Sequence, residues 1–501
     1  MSARPEEYDV LVVGGGINGA GIARDAAGRG LRVLLCEQHD LASHTSSAST
    51  KLIHGGLRYL EQYEFRLVRK ALAEREVLLD AAPHIIWPLR FVLPHEPHLR
   101  PTWMIRAGLF LYDHLARRRR LPASETIDLR RHAAGAPLKR SERLGFVYSD
   151  GWVDDARLVV LNALDARERG ARILTRTRCT RIVREHGGWT ASLAGADGAR
   201  FAVRARGVVN AAGPWVGAFL DQATPVRARR AVRLVKGSHI IVPQLFEHGY
   251  AYIFQNLDRR IIFAIPYQHR FTLIGTTDVE YHDDPTRPVI GADEVAYLCE
   301  LASRYFTRAV TPADVVSSYS GVRPLLEDES SDPSSVTRDY SFELDFDGAP
   351  LVSVFGGKIT TYRRLAEDAL RHLQPRLGAT GAPWTKGAPL PGGDMPGRDF
   401  ESFRAHLGQR LPGFEAAFLD RLARAYGTRL SAVIGAARSA AELGEAVLPG
   451  LYPAEIDYLR RTEWARTAED ILWRRSKLGL VLPPAAATTL DEWLARHPLG
   501  A

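Results

Sequence analysis

At 501 residues, with 46% hydrophobic and 25% charged residues, the chain is an ordinary globular protein of two or three domains with large cores, and no apolar run is long enough to span a bilayer. The net charge of +8 suits nucleic acid, an anionic membrane surface or an acidic substrate; without a zinc-finger, homeodomain or RRM pattern nucleic acid is disfavoured, and an arginine-rich solvated surface accounts for most of the charge. Three scattered cysteines without a C-x-x-C, and a start (MSARPEEYDV) without a secretory h-region, point to a reducing compartment and away from a disulfide framework or a metal site.

Tyr8–Val13 is a short apolar, β-branched run that predicts a buried parallel strand. Gly14, Gly16 and Gly19 fill a G-x-G-x-x-G pattern directly after it. Helical spacing follows over 17–29, stopped at Gly30, and a second strand over 31–36 is closed by Glu37. In this order each part has a job. Gly14 permits the tight turn, Gly16 lets backbone approach a pyrophosphate, and Gly19 lets helix and strand pack closely. The helix N-terminus faces phosphates, and Glu37 accepts from ribose hydroxyls. Strand, turn, helix, strand and acid together predict a Rossmann-type site for an adenosine dinucleotide without a 2′-phosphate. They leave FAD and NAD undistinguished.

The next stretch, with Thr45, Ser46, Ser47, Ser49 and Thr50, is expected as a loop facing the cofactor or plain solvent. Gly55-Gly56 leads to Leu57, Arg58 and Tyr59, and a helix is predicted over 65–79. Residues 86–103, rich in proline and aromatics, mark the entry to a different domain. An amphipathic helix is expected over 104–120. Met104, Ile105, Leu109, Leu111, Tyr112 and Leu115 share one face, with Arg106, Phe110, Asp113 and Arg117 on the other. Pattern alone favours packing on a core; the alternative is a helix lying in a membrane interface, with Arg117–Arg120 as a basic run at its end.

Further on, a helix is expected over 154–170, several strands over 172–205, and a second strand–turn–helix over 207–217 with Ala212 and Gly213 in its turn. Residues 233–283 read as consecutive antiparallel strands. A helix over 293–305, the segment leading to Arg323-Pro324, and a stretch carrying Arg338 follow. A last apolar strand over 351–355 runs into Gly356-Gly357-Lys358 and a helix over 359–373. Residues 378–393 read as a linker, and 399–497 as helices only, with Pro453 at a helix start and Thr489–Glu492 as a capping box.

The first motif, GLRYLE (56–61), KGSHI (236–240), GTTD (275–278), SGVRPL (320–325), TRDY (337–340) and GGKITTYR (356–363) resemble, in order, the FAD-dependent glycerol-3-phosphate dehydrogenases of the D-amino-acid-oxidase-like class. The resemblance covers the whole chain. It implies an α/β plus α fold: a Rossmann-type FAD domain (1–85, 145–232 and 350–376) and, inserted in it, an antiparallel-sheet substrate domain (86–144 and 233–349). A linker (377–393) and a helical C-terminal domain (394–501) follow. It implies FAD as cofactor, sn-glycerol 3-phosphate as substrate, and a quinone electron acceptor. It also implies a cytoplasmic location with peripheral attachment to the inner face of the cell membrane. A homodimer stays open as the assembly.

On this resemblance the cofactor residues are Gly14, Gly16, Gly19, Glu37, Thr45, Ser46, Ser47, Ala212, Gly213, Gly357 and Lys358. A phosphate dianion calls for guanidinium forks, and motif context singles out Arg58, Arg323 and Arg338, with Tyr59 as a further donor. His239 is the candidate base, with Lys358 and Arg323 holding the developing alkoxide. Without the family match His239 would read as a satisfied sheet histidine and Lys358 as a surface lysine. The rivals are a glycerophosphate oxidase that makes hydrogen peroxide, an amino-acid or sarcosine oxidase on the same fold, and a flavin-binding or membrane-associated scaffold without turnover.

Overall fold

The computed structural model describes residues 5–139, 143–256, 260–326 and 339–499. Arg338 lies outside them. Two large sheets carry most of the chain before the helix Tyr362–Leu377.

In the first sheet Glu6–Val13 pairs in parallel with Val33–Cys36 on one side and with Arg200–Asn210 on the other. Arg200–Asn210 pairs in parallel with Leu351–Phe355. The predicted second strand–turn–helix thus lies beside the first. In register Val13 stands opposite both Cys36 and Asn210, so the strands finish along one edge, where open α/β sheets bind ligands. Helices Ile17–Gly28, Asp155–Glu168 and Tyr362–Leu377 bury one face. Strands Thr177–Glu185 and Gly188–Gly195 and helix Val216–Ala223 cover the other.

The second sheet is centred on Val232–Pro243, which pairs antiparallel with Ser317–Leu326 and Phe271–Gly275. Helix Ala292–Tyr305 packs its Leu298, Cys299 and Ala302 against Ile240 and Val242 on one face of this sheet. Leu144–Val153 pairs in this sheet, although the sequence reading placed most of it with the first unit. Ser341–Asp345, read with the substrate unit, pairs in the first sheet.

Beyond Gly393 the chain is helical and has its own core around Leu451, Ile456, Leu459 and Leu490. It is tied back to the first unit by buried charges. Arg157 pairs with Glu463, and Arg474 and Arg475 each reach Asp40 at 2.7 Å.

Four expectations change. The helix expected over 104–120 runs Thr102–His114, and the arginine run lies beyond its end. Its buried residues are Leu109, Tyr112 and Asp113; Trp103 and Phe110 are 68% and 61% exposed. Asp113 turns inward because its carboxylate accepts the Ser124 N–H and hydroxyl, at 2.8 and 2.7 Å. Thr489–Glu492 caps nothing: it sits inside Ala485–Arg496, because the strong helix former alanine at 485–487 starts the helix earlier. Residues 378–393 form a strap packed on the first unit rather than a loose linker. There Trp384 Nε1 donates to Asp25 O at 3.1 Å, and Leu390 N–H to Ala81 O at 2.9 Å. The helix expected from about residue 359 begins at Tyr362, so Gly356-Gly357-Lys358 is a loop before a helix and not its first turn.

Candidate active site

A cavity of about 370 Å³ opens at the strand ends of the first sheet. Glycine shapes its floor. Gly14 sits at φ +111°, and a Cβ there would stand 2.4 Å from Ala211 O. A Cβ on Gly19 would lie 1.9 Å from Gly14 O, so helix and strand approach only because that atom is missing. Gly19 therefore supports the cavity from beneath. Gly14, Gly16, Glu37, Thr45, Ser46, Ala212, Gly213 and Gly357 line it.

The hydroxyl-rich loop closes over the helix start. Ser46 Oγ accepts the Ile17 N–H at 3.0 Å, and Thr45 Oγ1 donates to Val322 O at 2.6 Å, clamping the loop to the second sheet. Ser47 instead donates to His44 O at 3.2 Å and lines a neighbouring cavity. Glu37 accepts the Gly15 and His39 N–H groups at 2.7 and 2.8 Å. Burial pushes its carboxyl up, against the pull of those two amides. His39 and His44 stand in ring-to-ring contact beside it, with Nδ1 to Nε2 at 2.8 Å. Ligand atoms of these three residues lie within 4.8 Å of one another. Glu37 and His44 line the cavity, and His39 packs against His44.

Sequence reasoning missed Asn18, Ser43 and His44. Asn18 Nδ2 donates to Gly356 O at 3.2 Å, while its Oδ1 is buried without a partner. Ser43 Oγ is likewise buried with no partner among the described residues, and Asn18, Ser43 and His44 all line the cavity. Buried polar atoms are rarely left unpaired, so a polar ligand fits here. Glycine floor, free polar atoms and the acid at the end of the second strand fit a dinucleotide such as FAD. Asn18, inside the glycine motif, was within reach of the sequence; Ser43 and His44 gave no signal.

The second sheet turns a different face to this region. Along antiparallel strands alternate residues share a side. His239 stands opposite Tyr319, and Gly237 opposite Gly321. The His239 ring stacks on Tyr319 at 4.8 Å, and Nε2 meets Thr50 Oγ1 at 3.0 Å. Nδ1 is buried without a partner. Burial, then the Arg323 and Lys51 charges, hold this histidine well below its ordinary value, so the imidazole is neutral at pH 7. Arg323 pairs with Asp278 and donates to Thr276 Oγ1 at 3.1 Å. Gly237 makes room for it: a Cβ there would lie 2.4 Å from Arg323 Nη2.

Two loops adjoin this face. Gly356 lies beside Pro324 O, bringing Lys358 close to the strand of Arg323, and Lys358 Nζ stands 4.0 Å over the Tyr59 ring. Tyr59 and Arg58 sit on the short turn Leu57–Leu60, both half-buried. His54 N–H donates to Thr360 Oγ1 at 3.2 Å, joining the two loops. His239 and Arg323 thus share one sheet face, and Tyr59 and Lys358 share one loop pair.

Residues 9–363 match the family described as FAD dependent oxidoreductase, and residues 383–495 match the C-terminal domain of alpha-glycerophosphate oxidase. The chain is 57% identical over 496 residues to the glycerol-3-phosphate dehydrogenase of Pseudomonas aeruginosa, spanning 98% of this chain and 96% of that one. It is 51% identical over 493 residues to the D-erythritol 1-phosphate dehydrogenase of Brucella abortus, spanning 98% of each. Among solved structures it is similar to the glycerol-3-phosphate dehydrogenase from Bacillus halodurans complexed with FAD. The TM-score is 0.78 at 28% identity, over 98% of this chain and 90% of that chain. With fold, glycine cradle and full-length similarity in agreement, the chain belongs to the FAD-dependent glycerol-3-phosphate dehydrogenase family of FAD-dependent oxidoreductases, and its cofactor is FAD.

Proposed function

We propose that this chain oxidises sn-glycerol 3-phosphate at its secondary alcohol to dihydroxyacetone phosphate and passes the electrons to a membrane quinone. The observation that carries the reading is the joint placement of a neutral, half-paired His239 and of Arg323 on one sheet face beside the loop of Lys358. FAD, when bound, supplies the hydride acceptor. His239 Nδ1 takes the hydroxyl proton as the hydride leaves the same carbon. Arg323, freed in part from Asp278, and Arg58 hold the phosphate, with Tyr59 donating beside them. Lys358 stabilises negative charge on the alcohol oxygen. The expected phosphate ligand Arg338 lies outside the described residues.

A second cavity of about 400 Å³, with a mixed lining of hydroxyl and charged groups beside Tyr267, Tyr319 and Trp473, adjoins the cofactor cavity and is where we place the electron acceptor. It shares Ser43, His44 and Thr45 with the cofactor cavity, and Trp473 and Lys477 line its far side. Of its lining residues Trp473 is partly exposed. Access to a bilayer is supported by the helix Thr102–His114, whose Trp103 and Phe110 face solvent, and by exposed Tyr63 and Phe65 on the adjoining turn. No helix among the described residues is long and apolar enough to cross a membrane. The arginine run is a poorer candidate for lipid contact. Arg120 pairs with Asp80 at 2.6 Å, Arg119 with Asp80 at 3.5 Å, and Arg118 with Asp113 at 3.6 Å.

The deciding experiment is an anaerobic flavin spectrum. Bleaching by sn-glycerol 3-phosphate, then recovery of colour with a soluble quinone in the absence of peroxide on aeration, is the expected result. Faster bleaching by D-erythritol 1-phosphate would move the substrate to that polyol, and stoichiometric peroxide would make the enzyme an oxidase. Co-sedimentation with anionic vesicles is expected, and a Trp103→Ser, Phe110→Ser double variant is expected to lose it; undiminished binding would remove this face from the proposal.

A further inference from the structure

The second sheet has a back as well as a front, and the residues between the site residues point there. Ser238 lies between Gly237 and His239, Thr277 between Thr276 and Asp278, and Ser320 between Tyr319 and Gly321. Two of these hydroxyls converge on one carboxylate, and the third joins it through Ser238. Glu294 Oε1 accepts from Ser238 Oγ at 2.9 Å and from Thr277 Oγ1 at 2.6 Å. Ser320 Oγ meets Ser238 Oγ at 2.8 Å, extending the chain to the third strand. Thr277 Oγ1 also accepts the Ser238 N–H at 3.0 Å. The other oxygen, Oε2, accepts the Gly291 N–H at 2.8 Å and pairs with Lys236 Nζ at 2.8 Å. Ser238, Thr277 and Glu294 are all buried.

A glutamate near the first turn of a helix often serves that helix alone, through the N-cap amide. Glu294 does more than this. Only one of its contacts, the Gly291 amide, belongs to its own helix start. The rest come from the segments that carry His239, Thr276 and Asp278, and the strand of Arg323 is joined through the Ser320–Ser238 hydroxyl pair. Burial opposes its ionisation, yet the Gly291 amide, Lys236 and the two hydroxyls hold the carboxyl below its ordinary value. It is a charged anchor, and a charged acceptor makes the stronger bonds.

We propose that Glu294 is a positioning residue for the oxidation: from the back of the sheet it fixes the relative height of three strand segments, so that His239 and Arg323 meet the substrate together on the front. This rests on the reading of the sheet front as the substrate site. Displacing a reacting group by about 1 Å can cost on the order of a hundredfold in rate. Glu294 is well placed to control displacements of that size, because no other described side chain bonds to both Ser238 and Thr277.

The test uses the flavin-loaded full chain and single-turnover bleaching by sn-glycerol 3-phosphate, normalised to bound flavin. Glu294→Gln keeps the shape but removes the charge beside Lys236 and sets an NH2 donor against the Ser238 and Thr277 hydroxyls, which in the parent donate to the carboxylate. It is expected to lower the saturating rate about ten- to a hundredfold with flavin content unchanged. Thr277→Val is expected to fall likewise, and Thr277→Ser, which keeps the hydroxyl, to stay within about twofold of the parent. That rescue separates positioning from bulk stability, and the Thr277 pair carries the test if Glu294→Gln does not fold. Saturating rates within about twofold of the parent in both Glu294→Gln and Thr277→Val overturn the proposal. His239→Ala serves as the separate control: if it bleaches at the parental rate, the site reading itself has failed, whatever Glu294 does.

Discussion

The cofactor cavity and the front of the second sheet lie side by side but are built differently. The cavity is made of backbone: absent Cβ atoms at Gly14 and Gly19, amides that fix Glu37, and a hydroxyl loop clamped over a helix start. The sheet front is made of side chains held by other side chains: Arg323 by Asp278 and Thr276, and His239 by Thr50 and Tyr319. Backbone sites tolerate no added atom and bind or fail as a whole. Side-chain sites lose single functions while the rest stands.

The largest effect that separates the two is expected from Gly14→Ala. The new methyl would lie 2.4 Å from Ala211 O at a φ of +111°, both forbidden to an alanine. The purified variant should lack flavin absorbance and melt well below the parent; a yellow Gly14→Ala protein of normal stability would erase the distinction. Next is His239→Ala, expected to keep a full complement of flavin and to bleach about 10²- to 10⁴-fold more slowly with substrate. Loss of flavin in that variant would show the two regions to be one.

The smallest effect is a pH dependence. Burial, with Arg323 and Lys51 adding to it, depresses the folded-state value of His239, while its unfolded value is near 6.5. Thr50 and Tyr319 also face the ring, and neither is charged at neutral pH. Below pH 6.5 the unfolded chain therefore binds a proton that the folded chain does not. The stability tied to a neutral His239 is present in full above that pH and is lost as pH falls below it. Bleaching rates should stay flat as the pH is lowered through 6.5, and the thermal midpoint should fall less steeply in acid for His239→Gln than for the parent. A rate that halves near pH 6.5 would mean that the histidine is wetter than its surroundings allow.

The same contrast explains what could be read from sequence. The glycine motif, Glu37 and the hydroxyl loop act within one short stretch, so their spacing carries the geometry. His239 and Arg323 are brought together by strands 84 positions apart, and only the family resemblance singled them out. Glu294 escaped notice because its partner Ser238 lies 56 residues away, whereas Asn18 stood inside the glycine motif and only its bond to Gly356, 338 positions on, was out of sight. The helix over 102–114 and most of its inward face (Ile105, Leu109, Tyr112 and Leu115) were visible, but Asp113 was not: a buried acid satisfied by Ser124 looks polar in any periodicity count. The C-terminal helices were legible as helices, yet nothing in their composition announced that Arg474 and Arg475 would reach a carboxylate at residue 40.

That last contact joins the cofactor loop to the far end of the fold. Asp40 lies three residues past Glu37 and just ahead of the loop that covers the cofactor, and it is 3% exposed with Arg474 and Arg475 as its counter-charges. A buried carboxylate without its partners costs several kcal/mol. Arg474 and Arg475, from the opposite end of the sequence, supply the cations on which that turn settles. The segment that covers the cofactor therefore reaches its charge balance only when the helical domain is seated on the first unit.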